Sequence, residues 1–223
     1  MKFTLTLLTG LVASTVSGLT IPNAQPETGA GISSSSTDAQ IIKSTWSSWY
    51  ADVATVSYFL DNVASKKYKS QTAYLAAAQG ALAAETGQTA YQRVLNQELS
   101  QYEGYKASNS TLSDGTWTNV KSYLEQLTKL DFKKDCTKIQ EIVKKINYGD
   151  DQYSGRCSVI LPAIDTYFAL AYKALLDPQT PGYTAADKGF KNWQKAIRPR
   201  ACASKKERDL FDMDVQSVED ILE

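Results

Sequence analysis

Apolar side chains recur at steps of three and four from Ala39 through Ile42, Trp46, Trp49, Val53, Val56 and Leu60 to Val63. That spacing lays one apolar stripe along an α-helix and predicts a helix packed against others in a bundle. Thr37 or Asp38 supplies its N-cap. A second helix is predicted from about Gln71 to Lys106. Its alanine-rich first half carries Gly80 and Gly87, so a neighbour can approach closely and Gly87 is a candidate kink or break. Its second half places Tyr91, Leu95, Leu99 and Tyr102 on one face.

The turn sequence Ser113-Asp114-Gly115 predicts a third helix starting near Thr116, with Trp117, Val120, Leu124, Leu127 and Leu130 as its stripe. A shorter fourth carries Cys136, Ile139, Ile142, Val143 and Ile146. The fifth is expected over 158–176, with Pro162 in its first turn and Asp177-Pro178 ending it. A sixth is capped by Thr184, carries Phe190, Trp193 and Ile197, and stops at Pro199. Ser204 and Glu207 form a capping box that opens a seventh, with Phe211, Val215, Val218 and Leu222 along one side. Strand-like alternation is absent from the sequence. The expected fold is all-α: an up-and-down bundle of about seven helices, four or five of them in the main bundle.

Ahead of this body stand Met1 and Lys2, an apolar run from Phe3 to Val16, and the small residues Val16-Ser17-Gly18. This order predicts a cleavable secretory signal peptide over 1–18. The run is shorter than the roughly 20 residues a membrane span needs. No later segment of the sequence approaches that length, and the charged end (Glu219, Asp220, Glu223) is unlike a glycolipid-anchor signal. Residues 19–37, rich in Pro, Gly, Ser and Thr, predict a flexible arm, and 38–223 a single helical domain. Export of the chain and an extracellular location follow.

Charge narrows the partners. Basic and acidic residues number 24 each, and loss of Lys2 with the leader leaves a net charge of −1. A near-neutral chain lacks the basic surface that nucleic acid requires. The final third is charge-segregated: Lys188, Lys191, Lys195 and Arg198 precede an acidic tail including Asp209, Asp212 and Asp214. This reads as solvated faces that attract one another or as an anion-binding patch.

An oxidising destination makes pairing of Cys136, Cys157 and Cys202 an expectation, with one thiol left over. The local pair Cys136–Cys157 is the first choice. Cys157–Cys202 is the alternative, if helices over 158–176 and 185–197 run up and back. Asn109-Ser110-Thr111 is the sole N-glycosylation sequon, placed between two predicted helices.

The chain contains no histidine. That removes Ser–His and Cys–His nucleophile pairs, histidine-bearing zinc sites, and the Glu-x-x-His ligands of di-iron bundles. No phosphate-binding glycine loop or calcium loop is present, so neither metal nor cofactor is expected. Carboxylates remain. Glu85 points inward whether the second helix is read along Leu75, Ala78 and Leu82 or along Tyr74, Ala78 and Ala81. A buried carboxylate needs a partner or carries a raised pKa. Glu85 is thus expected either to meet a Lys, Tyr or Trp N–H, or to act with Asp52 or Asp165 as a ligand or catalytic group. Trp46, Trp49, Tyr50 and Tyr58 either fill the bundle or line an apolar cavity for a lipid or other small molecule.

The segments Val56-Ser57-Tyr58-Phe59-Leu60-Asp61, Ala81-Leu82-Ala83-Ala84-Glu85, Arg93-Val94-Leu95 and Cys157-Ser158-Val159-Ile160-Leu161-Pro162, with Cys136, resemble small secreted helical proteins of filamentous fungi. The resemblance covers roughly 40–200. It implies an exported helical protein, some members having ferritin-like bundles, and it implies no reaction. In that pattern acidic residues and a His follow the position of Glu85, where Thr86, Gly87, Gln88 and Thr89 stand here. The functional expectation is a secreted, non-enzymatic protein that binds an extracellular component: wall polymer, lipid or host molecule. The alternatives are an enzyme using carboxylate or tyrosine chemistry, and a structural wall-associated protein.

Overall fold

The computed structural model describes residues 38–150, 154–183 and 195–202. The expected leader and arm, most of the sixth helix and the whole of the seventh lie outside the described residues. Those that are described form six α-helices and no strands: α1 (Asp38–Ala64), α2 (Gln71–Leu99), α3 (Tyr105–Ser113), α4 (Thr116–Leu127), α5 (Cys136–Tyr148) and α6 (Leu161–Leu176). The all-α bundle read from the apolar spacing is therefore the fold observed.

α1 and α2 are joined by a short turn and pack as an antiparallel hairpin, the most extensive helix contact in the molecule. α1 ends in a Schellman turn: Lys66 N–H donates to Val63 O (3.1 Å) and Lys67 N–H to Asn62 O (2.9 Å). Ser70 caps α2 by accepting the Ala73 N–H at 3.2 Å. The core face of α2 runs Tyr74, Ala78, Ala81, Glu85, Gln88, Gln92, Leu95 and Leu99. α4 lies against α2 and α5, and α6 against α1, α2 and α3. At the centre Trp49 is fully buried. Its ring lies 6.2 Å from Trp117 of α4 and 5.3 and 5.8 Å from Tyr167 and Phe168 of α6. Trp49 thus fills the centre of the bundle.

Several boundaries differ from expectation. α2 runs unbroken through Gly87 and stops at Leu99, because the break falls at Gly104, whose φ of 90° no L-residue adopts readily. The segment beyond it folds into α3, so Asn109 lies within a helix, not between two. The fifth helix begins two residues early with a π-turn (Arg156–Ile160) in which Leu161 N–H donates to Arg156 O. Lys195–Pro199, expected to include the end of the sixth helix, is irregular. The backbone N–H of Ala196 donates to Asp165 at 2.7 Å, and Ser57 donates to Ile197 O at 2.6 Å.

The disulfide joins Cys157 to Cys202, with Cα atoms 5.1 Å apart, and leaves Cys136 as an exposed free thiol. This corrects the first-choice pairing Cys136–Cys157. Cys136 begins α5, a 13-residue helix. Such a helix is about 20 Å long, whereas a disulfide requires Cα atoms within about 7 Å. Beyond its far end the chain turns back on itself. A Cβ on Gly155 would overlap the backbone of Asn147, Tyr148 and Gly149, so the return is as tight as glycine permits. Cys157 is therefore held at the end of α5 remote from Cys136.

Among the described residues one helical stretch, Arg156–Leu176, is apolar and long enough to cross a membrane, which corrects the expectation that no segment after the leader approaches that length. Its apolar window is 56% buried inside the bundle, and it reads as a core helix.

Candidate functional site

Glu85 is inside the bundle with no exposed surface, as its position in either helical frame requires. Its partner is Arg156, the first residue of the π-turn, also with no exposed surface. Arg156 Nη1 donates to Glu85 Oε2 in a short ion pair, and Gln88 Nε2 donates to the same oxygen at 2.9 Å. Trp49 Nε1 donates to Gln88 Oε1 at 3.1 Å, which ties α1 into the network. Glu85 Oε1 and Arg156 Nε and Nη2 have no hydrogen-bond partner. Burial pushes the Glu85 carboxyl above its ordinary range, against the pull of Arg156, Gln88 and Lys121.

This arrangement has limited chemistry. The negative charge is neutralised at contact distance, and no solvent reaches either member. Among the described residues no group of three His, Cys, Asp or Glu could hold a metal ion. Asp165, considered with Glu85 from the sequence, lies elsewhere and is held by Arg198 and by the Ala196 N–H. Asp52 is the carboxylate that comes near. It sits over Gly87, where a Cβ would lie 3.0 Å from Asp52 Oδ2. Any larger residue at 87 would displace it. Burial, with repulsion from Glu85, pushes the Asp52 pKa up to about 7.

The consequence is a pH-dependent stability. A carboxyl that binds its proton more tightly when folded contributes stability that is fully present below its unfolded pKa, near 4, and lost as pH rises through about 7. After allowance for the partial exposure of Asp52, the loss is about 1–2 kcal/mol. Asp52→Asn should therefore be more stable than wild type by about that amount at pH 8 and by little at pH 4. Urea titrations at the two pH values measure this. A stability difference independent of pH would refute the assignment.

Sequence reasoning anticipated that Glu85 is buried, but it missed Arg156. Of the partners weighed, Trp49 reaches Glu85 only through Gln88. Asn109 is half-buried, and its side-chain oxygen accepts hydrogen bonds from Gln92 (3.1 Å), Asn96 (2.9 Å) and Tyr167 (3.2 Å).

Two cavities open at opposite ends of the α1–α2 hairpin. One, about 340 Å³, includes Asp38, Glu98, Tyr102, Asp177 and Thr180 in its wall. Its polar groups are largely engaged locally: Asp177 accepts the Gln179 N–H at 2.9 Å, and Thr180 donates to Ala174 O at 2.7 Å. Burial and repulsion by Asp38 raise the Glu98 pKa.

The other cavity, about 160 Å³ and mostly apolar, is walled by Val63, Tyr68, Tyr74, Phe132 and Ile139, with Lys66, Cys136 and Gln140. Its walls are held by hydrogen bonds. Gln71 donates to Leu130 O and accepts the Phe132 N–H, both at 2.9 Å. Tyr74 donates to Leu127 O at 3.0 Å, and Gln140 to Val63 O at 3.1 Å. Tyr68 and Tyr74 meet edge to face at 5.8 Å. This aromatic cavity is not where the Trp46 and Trp49 cluster suggested one. It forms where the α1–α2 and α4–α5 connections, which supply Lys66, Tyr68 and Phe132, meet the ends of α1, α2 and α5, and the connections carry no helical periodicity to reveal it. Comparison with protein-family models, curated proteins and solved structures finds no match.

Proposed function

We propose that this chain is an exported, non-enzymatic helical protein that binds a small extracellular molecule in the cavity between the α1–α2 and α4–α5 connections. The observation that carries the reading is the preformed aromatic wall of Tyr68, Tyr74 and Phe132, held by the hydrogen bonds of Gln71 and Gln140. Apolar, aromatic-walled cavities with a few polar groups at the rim are the usual form of small-molecule sites. A volume of about 160 Å³ favours a small compound over a lipid chain. A non-enzymatic role is supported by the lack of histidine and by the neutralisation of Glu85 by Arg156. Export is supported by the leader-like sequence, by the Cys157–Cys202 disulfide and by the resemblance to secreted fungal helical proteins.

Native mass spectrometry of the chain purified from its producer's culture medium tests the reading. The expected species begins at Leu19, contains one internal disulfide, and carries a small ligand that is lost on denaturation. A chain that retains Met1 would overturn export. Identical native and denatured masses would overturn ligand binding.

A further inference from the structure

The turn that closes α1 contains the single non-glycine residue with positive φ among the described residues, Lys66 at 54°. It occupies the left-handed position of the Schellman turn, where glycine is the usual residue because a Cβ there is strained. The strained lysine lines the aromatic cavity, and Lys67 and Lys69 follow it in the same connection, which holds no acidic residue. In the facing connection Lys133 lies 5.7 Å over the outer ring, Phe132. Asp131 there is committed to the backbone N–H groups of Lys133 (2.9 Å) and Lys134 (3.0 Å), and Asp135 accepts the Asp131 N–H at 2.9 Å. Both carboxylates keep their charge, and Asp135 acts on Tyr74, but the two connections still hold an excess of cations around the cavity: Lys66, Lys67, Lys69, Lys133 and Lys134 against Asp131 and Asp135. Tyr68 and Tyr74 stay neutral at physiological pH, because burial raises both hydroxyls, Tyr68 to about 12.

From this juxtaposition, and resting on the small-molecule reading above, we infer that the ligand is a single-ring aromatic anion. Its ring would lie among Tyr68, Tyr74 and Phe132, with its carboxylate or phenolate at Lys66. The volume matches one ring: an apolar cavity of about 150 Å³ accommodates benzene. The ring edges of Tyr68 and Tyr74 suit edge-to-face contact with a further ring. A cationic rim over an apolar floor separates an aromatic acid from its neutral and cationic analogues.

The exposed thiol of Cys136 lines the same cavity, so a ring seated there should shield it. The test is the rate of Cys136 alkylation by iodoacetamide, followed by intact mass, in the full exported chain at constant ionic strength. Benzoate, benzyl alcohol and benzylamine are compared, with acetate as the ring-free control. Benzoate should slow the reaction with half-protection on the order of millimolar, as a ligand of its size allows. It should act at concentrations about two- to fivefold lower than benzyl alcohol, the advantage expected of a partly exposed ion pair. Acetate should not protect. Lys66→Gly relieves the backbone strain and should keep or raise the melting temperature. It should also make benzoate and benzyl alcohol equivalent. If benzyl alcohol protects as well as benzoate in wild type, the anionic class is wrong while the cavity remains a binding site. If none of the ring compounds protects, both this inference and the small-molecule reading fall.

Discussion

Arg156→Met is expected to destabilise the protein by about 3–5 kcal/mol, because it leaves the Glu85 carboxyl fully enclosed without its counter-ion, either as an unpaired charge or as an acid that must take up a proton to stay buried. Against a total stability of about 5–15 kcal/mol for a domain, the loss is severe. Glu85→Gln should also be costly, since it strands the guanidinium, whose Nε and Nη2 already lack partners. The double variant Glu85→Leu with Arg156→Met removes both charges and returns similar volume. It should lie within about 1 kcal/mol of wild type or above it, because desolvation of a buried pair offsets most of its attraction. Urea denaturation of wild type, the two single variants and the double variant gives the four stabilities. Near-wild-type stability of Arg156→Met would mean that the pair is open to water and that the enclosed geometry is wrong.

The same pair marks where the sequence was legible and where it was not. Glu85 could be placed inside because the stripe of α2 demands it in either frame, and the frame realised is that of Tyr74, Ala78 and Ala81. Arg156 could not be found. It follows Gly155 at the mouth of a turn and belongs to no apolar period, and only the π-turn carries it into the core. Helices with long stripes, α1 and α4, were read nearly to their ends. α3 was missed because it buries only Ser108 and Leu112, too few positions to show a period. The aromatic cavity was missed for a related reason. Its wall draws on two connections, and the contact between them is a product of tertiary packing that neither segment encodes alone.

The second large effect concerns the covalent link. Cys202→Ser should lower stability by about 2–4 kcal/mol, whereas Cys136→Ser should change it by less than about 0.5 kcal/mol. The bridge spans 45 residues, so breaking it frees a long loop in the unfolded chain. It also anchors a short segment that is otherwise held to the bundle by hydrogen bonds, by the Arg198–Asp165 ion pair and by the buried Ala196. Arg200 N–H donates to Asp61 at 2.8 Å, Tyr148 to Ala201 O at 2.6 Å, and Ser57 to Ile197 O at 2.6 Å. Each such hydrogen bond contributes about 1 kcal/mol, and together they must offset about 1–2 kcal/mol of backbone entropy for every residue they order. Without the bridge, 195–202 should detach before the bundle melts. Hydrogen exchange at Arg200 and Ala196 should then quicken while that of α1 and α2 does not. Had the local pairing Cys136–Cys157 been the true one, Cys136→Ser would carry the loss and Cys202→Ser would be silent. Thermal melts of the two serine variants, read beside the exchange rates, decide between the pairings.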